Sequence, residues 1–172
     1  MSTLFIGDSI TAGFPEEELL PGKDIINRGI SGASTAEIVK QLSRDWFKAD
    51  PSKVFICLGT NDLARGVEDE GIINNLKEIV KLIKAYSNIV DENIFLLSLF
   101  PTRQNKERSN VCIDRLNVRI QQLTYHLQIN YLHLNVFFRD QSGSLITSCT
   151  EDGLHLNYTG YKLWASVLQL LL

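Results

Sequence analysis

Val54-Phe55-Ile56-Cys57-Leu58 is an unbroken apolar run, and Gly59-Thr60-Asn61-Asp62 follows it directly. A strand with one wet face alternates apolar and polar residues, whereas a run that is apolar at successive positions is covered on both faces. This stretch therefore reads as an inner strand of a sheet with helices above and below. Working outward, Thr3 to Ile6, Asp24 to Asn27, Asn93 to Leu99 and Ile129 to Leu134 also read as strands. Helical patterns fill the gaps. Ile38, Val39, Leu42 and Trp46 share one face behind the capping box Ser34-Thr35-Ala36-Glu37. Ile72, Leu76, Ile79, Val80 and Ile83 form a second stripe. Ile113, Leu116, Ile120, Leu123 and Leu127 form a third, with Ser109 or Asn110 as its cap. Leu163, Trp164, Val167, Leu168 and Leu171 form a fourth, after Thr159-Gly160. Strands alternating with helices predict right-handed crossovers and an α/β fold, a five-stranded parallel sheet with helices on both faces.

The chain has 172 residues, with no internal repeat and no linker-like stretch, so residues 1–172 are expected to form a single domain. Hydrophobic residues make up 44% and charged residues 22%, the usual balance for a globular protein. A net charge of −3 argues against a nucleic-acid binder, which carries a basic face or stripe. The basic residues from Arg103 to Arg108 alternate with polar ones and read as a solvated loop. No apolar run approaches the ~18–20 residues of a membrane-spanning helix. The chain passes from Met1 almost straight into a strand, with no charged leader and no cleavage site, which predicts a cytoplasmic protein. The three cysteines show no CxxC spacing and read as buried small residues without disulfide or metal roles.

In an open α/β sheet, ligands gather beyond the carboxyl ends of the strands. Polar clusters fall there after three strands: Gly7-Asp8-Ser9, Asn27-Arg28-Gly29-Ile30-Ser31-Gly32, and Gly59-Thr60-Asn61-Asp62. A fourth, Asp152-Gly153-Leu154-His155, leads into the last helix. Asp152 and His155 are spaced so that both side chains can face one way on a turn of helix or a tight loop. The carboxylate can then orient the imidazole, leaving its far nitrogen to take a proton from a hydroxyl, and Ser9 is the candidate hydroxyl. An acyl-transfer site also needs donors aimed at the oxygen that becomes negative. The backbone N–H groups of Gly32 and Ser9 and the side-chain amide of Asn61 are the candidates. Ile10, Phe14, Leu63 and Phe100 are candidates to line the acyl side, and Arg103 to meet an anionic leaving group. His126 and His133 are assigned no role.

In order and character the four clusters resemble the sequence blocks of the SGNH hydrolases, or GDSL esterase/lipase family. Gly7-Asp8-Ser9 resembles the first block, Gly32 the glycine of the second, Asn61 the asparagine of the third, and Asp152-x-x-His155 the fourth. Ile10 stands where the family's leucine is usual. The resemblance spans nearly the whole chain. It implies a three-layer α/β/α sandwich of flavodoxin-like topology and a Ser9–His155–Asp152 triad. It also implies an oxyanion hole of Ser9, Gly32 and Asn61, and hydrolysis of a small-molecule ester with no metal or organic cofactor. The chain is short for the family, and an open, shallow site is expected.

Rival readings fare less well on the residues. Asp152 and His155 could supply two metal ligands, but no further His or Cys cluster completes a set. The Gly-x-Ser-x-Gly elbow of α/β-hydrolases is absent, since Thr11 stands at its last position. The Gly-x-Gly-x-x-Gly dinucleotide fingerprint is also absent. A non-catalytic flavodoxin-like module would bind phosphate at Ser9 to Gly13 but has no use for Asp152 beside His155. An acyltransferase or thioesterase on the same fold stays open, as do the natural substrate and the oligomeric state.

Overall fold

Period-two alternation inside the continuous apolar runs sorts their side chains into two separate cores. The computed structural model describes residues 2–172. Leu4 and Ile6 of β1 (Thr3–Gly7), Val54 and Ile56 of β3 (Lys53–Cys57) and Ile94 and Leu96 of β4 (Ile94–Leu97) enter one core. Phe5, Phe55, Cys57 and Leu97, the intervening residues of the same strands, enter the other. Each Leu, Ile or Phe so buried contributes roughly 1.5–3 kcal/mol relative to exposure. A one-residue slip of β1 would exchange its entire set between the cores, so the register is strongly specified.

The remaining elements are α1 (Ser9–Ala12), α2 (Glu16–Leu19), β2 (Ile25–Gly29), α3 (Thr35–Gln41), α4 (Thr60–Ala64) and α5 (Asp69–Tyr86). After β4 come α6 (Asn110–Leu127), β5 (Asn130–Leu132) and α7 (Tyr158–Leu168). Helices α3, α5 and α6 cover the first core, and α1 and α7 cover the second. The result is a three-layer α/β/α sandwich. Its aromatic side is built around Trp164, whose ring meets Phe14 at 5.0 Å and Phe100 at 5.1 Å between centroids, both edge-on.

All strand pairs are parallel, in the order β2-β1-β3-β4-β5. The connection after β1 runs to β2 at one edge and that after β3 runs to β4 towards the other, so the carboxyl ends of β1 and β3 flank a topological switch point. Gly7 lies in register with Gly29 of β2 and with Cys57 of β3. The strand ends that precede Ser9, Gly32 and Asn61 are therefore level with one another at a single edge.

Local signals explain most helix boundaries. The Ser34 capping box is present, with the Ser34 N–H donating to Glu37 Oε2 at 2.7 Å. Ser109 caps α6 by accepting from the Cys112 N–H. Three expectations need correction. Trp46 does not continue the α3 stripe, because the chain turns extended at Leu42 and re-enters a separate 3₁₀ turn, Arg44–Phe47. The last helix begins ahead of Thr159-Gly160, because the Asn157 side chain caps it by accepting from the Gly160 N–H at 3.1 Å. Cys57 and Cys149 are buried, but Cys112 is only half-buried because it lies off the apolar stripe of α6. Among the described residues no helix is long and apolar enough to cross a membrane.

Candidate active site

Ser9 stands two residues beyond β1, as the first residue of α1. Asp8 caps that helix, its Oδ1 accepting from the Ile10 N–H at 3.0 Å. Tyr161 of α7 donates to the Ile10 carbonyl at 2.9 Å and ties the short helix down. The carboxyl of Asp8 is buried, and desolvation pushes it up to about 6. The Ile10 N–H and the charges of His155 and Arg108 oppose that rise.

The Asp152–His155 segment is an irregular loop, and the carboxylate itself shapes it. Asp152 Oδ1 accepts from the backbone N–H groups of Leu154 at 2.9 Å and His155 at 2.8 Å. Gly153 adopts φ +81° and donates to Thr150 Oγ1 at 2.9 Å. A Cβ at this position would lie 2.2 Å from the Arg103 carbonyl oxygen, so the loop requires glycine on two counts. So folded, the loop places His155 Nδ1 2.6 Å from Asp152 Oδ2 and His155 Nε2 3.1 Å from Ser9 Oγ. Desolvation acts to raise the Asp152 carboxyl, but the bonds from the His155 ring and the two backbone N–H groups outweigh it. They hold the group at about 2. An ionised Asp152 can only accept, so in the neutral imidazole the proton sits on Nδ1 and the Nε2 lone pair faces Ser9. The side chains of Asp152 and His155 are 53% and 46% exposed, which makes the site open.

Gly32 follows β2 with φ +76°, and its carbonyl accepts from Arg65 Nη2 at 2.9 Å. Asn61, in α4, donates from Nδ2 to the Ala33 carbonyl at 3.0 Å, joining the third cluster to the second. Buried Asp62 reinforces this junction by accepting from the Thr35 N–H at 2.9 Å and the Thr35 hydroxyl at 2.6 Å. Among the described residues the N–H groups of Ser9 and Gly32 meet no acceptor. Chemically, the arrangement offers a hydroxyl with a base in contact, an oriented imidazole, and unused N–H groups at the same sheet edge.

Several residues stand elsewhere than their sequence context suggests. Ile10, Phe14 and Phe100 are buried in the second core rather than facing a ligand, and Leu63 packs partly against the first. Arg103 is engaged with Asp140 and the Leu145 carbonyl, so it is not free to meet a leaving group. The basic stretch is only partly a solvated loop: Gln104, Lys106 and Glu107 are exposed, but Arg108, with a side chain only 14% exposed, donates to the Thr60 carbonyl and to Asn61 Oδ1. Arg65 and Arg108 brace the site from outside the four clusters, and Asp62 braces it from within the third. The one signal for Arg108 was its place in a long irregular stretch, where functional residues concentrate.

Known proteins share this fold and sequence pattern. The model of the GDSL-like lipase/acylhydrolase family matches residues 5–163. A solved structure from Streptococcus pneumonia, provisionally described as a platelet activating factor, superposes with a TM-score of 0.89. It is 32% identical and covers 97% of this chain and 81% of that one. An arylesterase of Vibrio mimicus is 29% identical over 88% of this chain and 78% of its own length. The N-acylneuraminate cytidylyltransferase of Streptococcus agalactiae is 26% identical over 98% of this chain. The chain spans only 38% of the length of that relative.

Proposed function

Because the chain belongs to the GDSL-like lipase/acylhydrolase family, we propose that it is a serine esterase hydrolysing small or short-acyl carboxylic esters. The observation that carries this reading is the unbroken relay from Ser9 Oγ to His155 Nε2 at 3.1 Å and from His155 Nδ1 to Asp152 at 2.6 Å. Ser9 Oγ attacks the ester carbonyl carbon while its proton passes to Nε2. The carbonyl oxygen becomes an oxyanion, received by the N–H groups of Ser9 and Gly32 and by the Asn61 amide. Asp152 holds the tautomer and stabilises the imidazolium without taking its proton. Collapse of the tetrahedral adduct returns the proton from Nε2 to the leaving alcohol. Water, deprotonated by the same nitrogen, then clears the acyl-enzyme.

Two features support a short acyl group and release to water. The apolar side chains nearest the nucleophile in sequence, Ile10 and Phe14, are committed to the core. The half-exposed histidine gives water access to the acyl-enzyme. A series of p-nitrophenyl esters from acetyl to palmitoyl tests the reading. kcat/KM should not rise beyond acetyl or butyryl, because only a pocket that held each further methylene would add about 1–3 kcal/mol per group. A preference for palmitoyl would overturn the short-acyl assignment. Faster transfer to an added alcohol than to water would make the protein an acyltransferase.

A further inference from the structure

We infer that Arg108 is a positioning residue that locks the Asn61 side-chain amide with its N–H directed to the oxyanion; the inference rests on the esterase reading above. A side-chain amide has two orientations related by a flip, and only one presents a donor to the substrate. Two neighbours demand the same one. The Ala33 carbonyl takes a hydrogen from Nδ2 at 3.0 Å, and Arg108 Nη2 donates to Oδ1 at 3.2 Å. The flipped amide would set its oxygen against the Ala33 carbonyl and its NH₂ against a guanidinium, losing both bonds and adding two repulsions. Ala33 uses one Nδ2 hydrogen, which leaves the second for the developing negative charge.

The guanidinium is itself held in place. Its Nε donates to the Thr60 carbonyl at 3.1 Å, fixing the residue before Asn61 with the other arm of the same planar group. The loop that delivers it is braced by Thr102 Oγ1 donating to the Arg108 carbonyl at 2.6 Å and by the Arg108 N–H donating to Asn105 Oδ1 at 3.0 Å. Its nearest carboxylate, Glu107, lies 3.6 Å away with a side chain 73% exposed, whereas that of Arg108 is 14% exposed. The positive charge, which also reaches buried Asp8, bears directly on Asn61 Oδ1, where it polarises the amide and strengthens its remaining N–H as a donor. A lysine could supply the charge but could not make the two in-plane bonds.

The test measures kcat and KM for p-nitrophenyl acetate in Arg108→Lys and Arg108→Ala, each in the wild-type and the Asn61→Ala background, with Lys106→Ala as a loop control. Both Arg108 variants should lower kcat about tenfold to hundredfold, less than loss of the donor itself, with KM within about twofold. Guanidinium ion should restore part of the Arg108→Ala rate, and Lys106→Ala should match the wild type. In the Asn61→Ala background the Arg108 changes should cost under about twofold, because the residue they position is gone. Equal losses in both backgrounds, or a loss confined to KM, would overturn the inference. A second readout is the Asn61 side-chain NH₂ in a nitrogen-15 spectrum, whose hydrogen exchange should accelerate in Arg108→Lys; unchanged exchange counts against the inference even if Arg108→Ala does not fold. A wild type that fails to cleave the ester, or a Ser9→Ala variant that still does, removes the esterase reading. The Asn61 amide signal would still decide the Arg108 contact.

Discussion

Ser9, the proposed nucleophile, and His155, its proposed base, come from regions built on opposite plans. Ser9 sits two residues beyond a strand that is buried at every position, and its place follows from sheet register and from a capped, pinned helix. Asp152 and His155 sit on an irregular, half-exposed loop held by side-chain-to-backbone bonds and by a backbone hydrogen bond from the Arg103 N–H to the Gly153 carbonyl. The group that must not move takes its precision from the core. The imidazole proposed to exchange protons with solvent-borne reactants, and the carboxylate that orients it, are held by local bonds at the surface. Variants on each side can break or sharpen this contrast.

The largest effect is expected at the chemistry. Ser9→Ala should lower kcat by ~10⁴ or more with little change in melting temperature. Asp152→Asn should cost less than the same change in a buried triad, below ~10⁴, since water can reach and partly support the imidazole. Steady-state rates beside thermal melts check both, and a Ser9 variant that keeps its turnover would remove the mechanism.

The next tests the loop. Gly153→Ala forces a left-handed φ on alanine and drives its Cβ towards the Arg103 carbonyl. The strain should cost about 1–3 kcal/mol. If the loop is a local unit, hydrogen exchange at Leu154 and His155 should rise and activity fall while the sheet amides stay protected. Uniform loss of protection would mean that loop and core unfold together.

The smallest effect on rate, and the most pH-dependent, lies under the nucleophile. Asp8 titrates near 6 in the fold against an ordinary 3.8. Between those values the folded chain holds a proton that the unfolded chain has released. Asp8 therefore withdraws stability as pH rises from about 4 to about 6, up to about 3 kcal/mol, and the loss persists above that range. The substitution Asp8→Asn keeps a side-chain oxygen for the Ile10 N–H and removes the charge. The variant should melt above the wild type at pH 8 and level with it at pH 4; an equal difference at both would assign the effect to packing.

The contrast also explains what could be read from the residues. The five strands, the long helices and the four polar clusters were legible, because burial and capping leave local patterns: the continuous run Val54 to Leu58, the box at Ser34 and Glu37. The pairing of Asp152 with His155 was legible for the same reason, being local. Which arginine bonds Asn61 was not. Arg103 and Arg108 look alike in sequence, and their partners Asp140, Thr60 and Asn61 lie far along the chain, so only tertiary structure separates them. Phe14 and Phe100 were misplaced because an aromatic beside a motif looks the same whether it faces a ligand or Trp164.

The loop bearing both arginines reaches each half of the candidate site: the Arg103 N–H donates to the Gly153 carbonyl at 2.8 Å, while Arg108 grips α4. It acts as a strap. A protease nick at the exposed Gln104 or Lys106 would leave both cores whole yet uncouple the two ends of the strap. Such a clipped molecule would fall silent well before it melted.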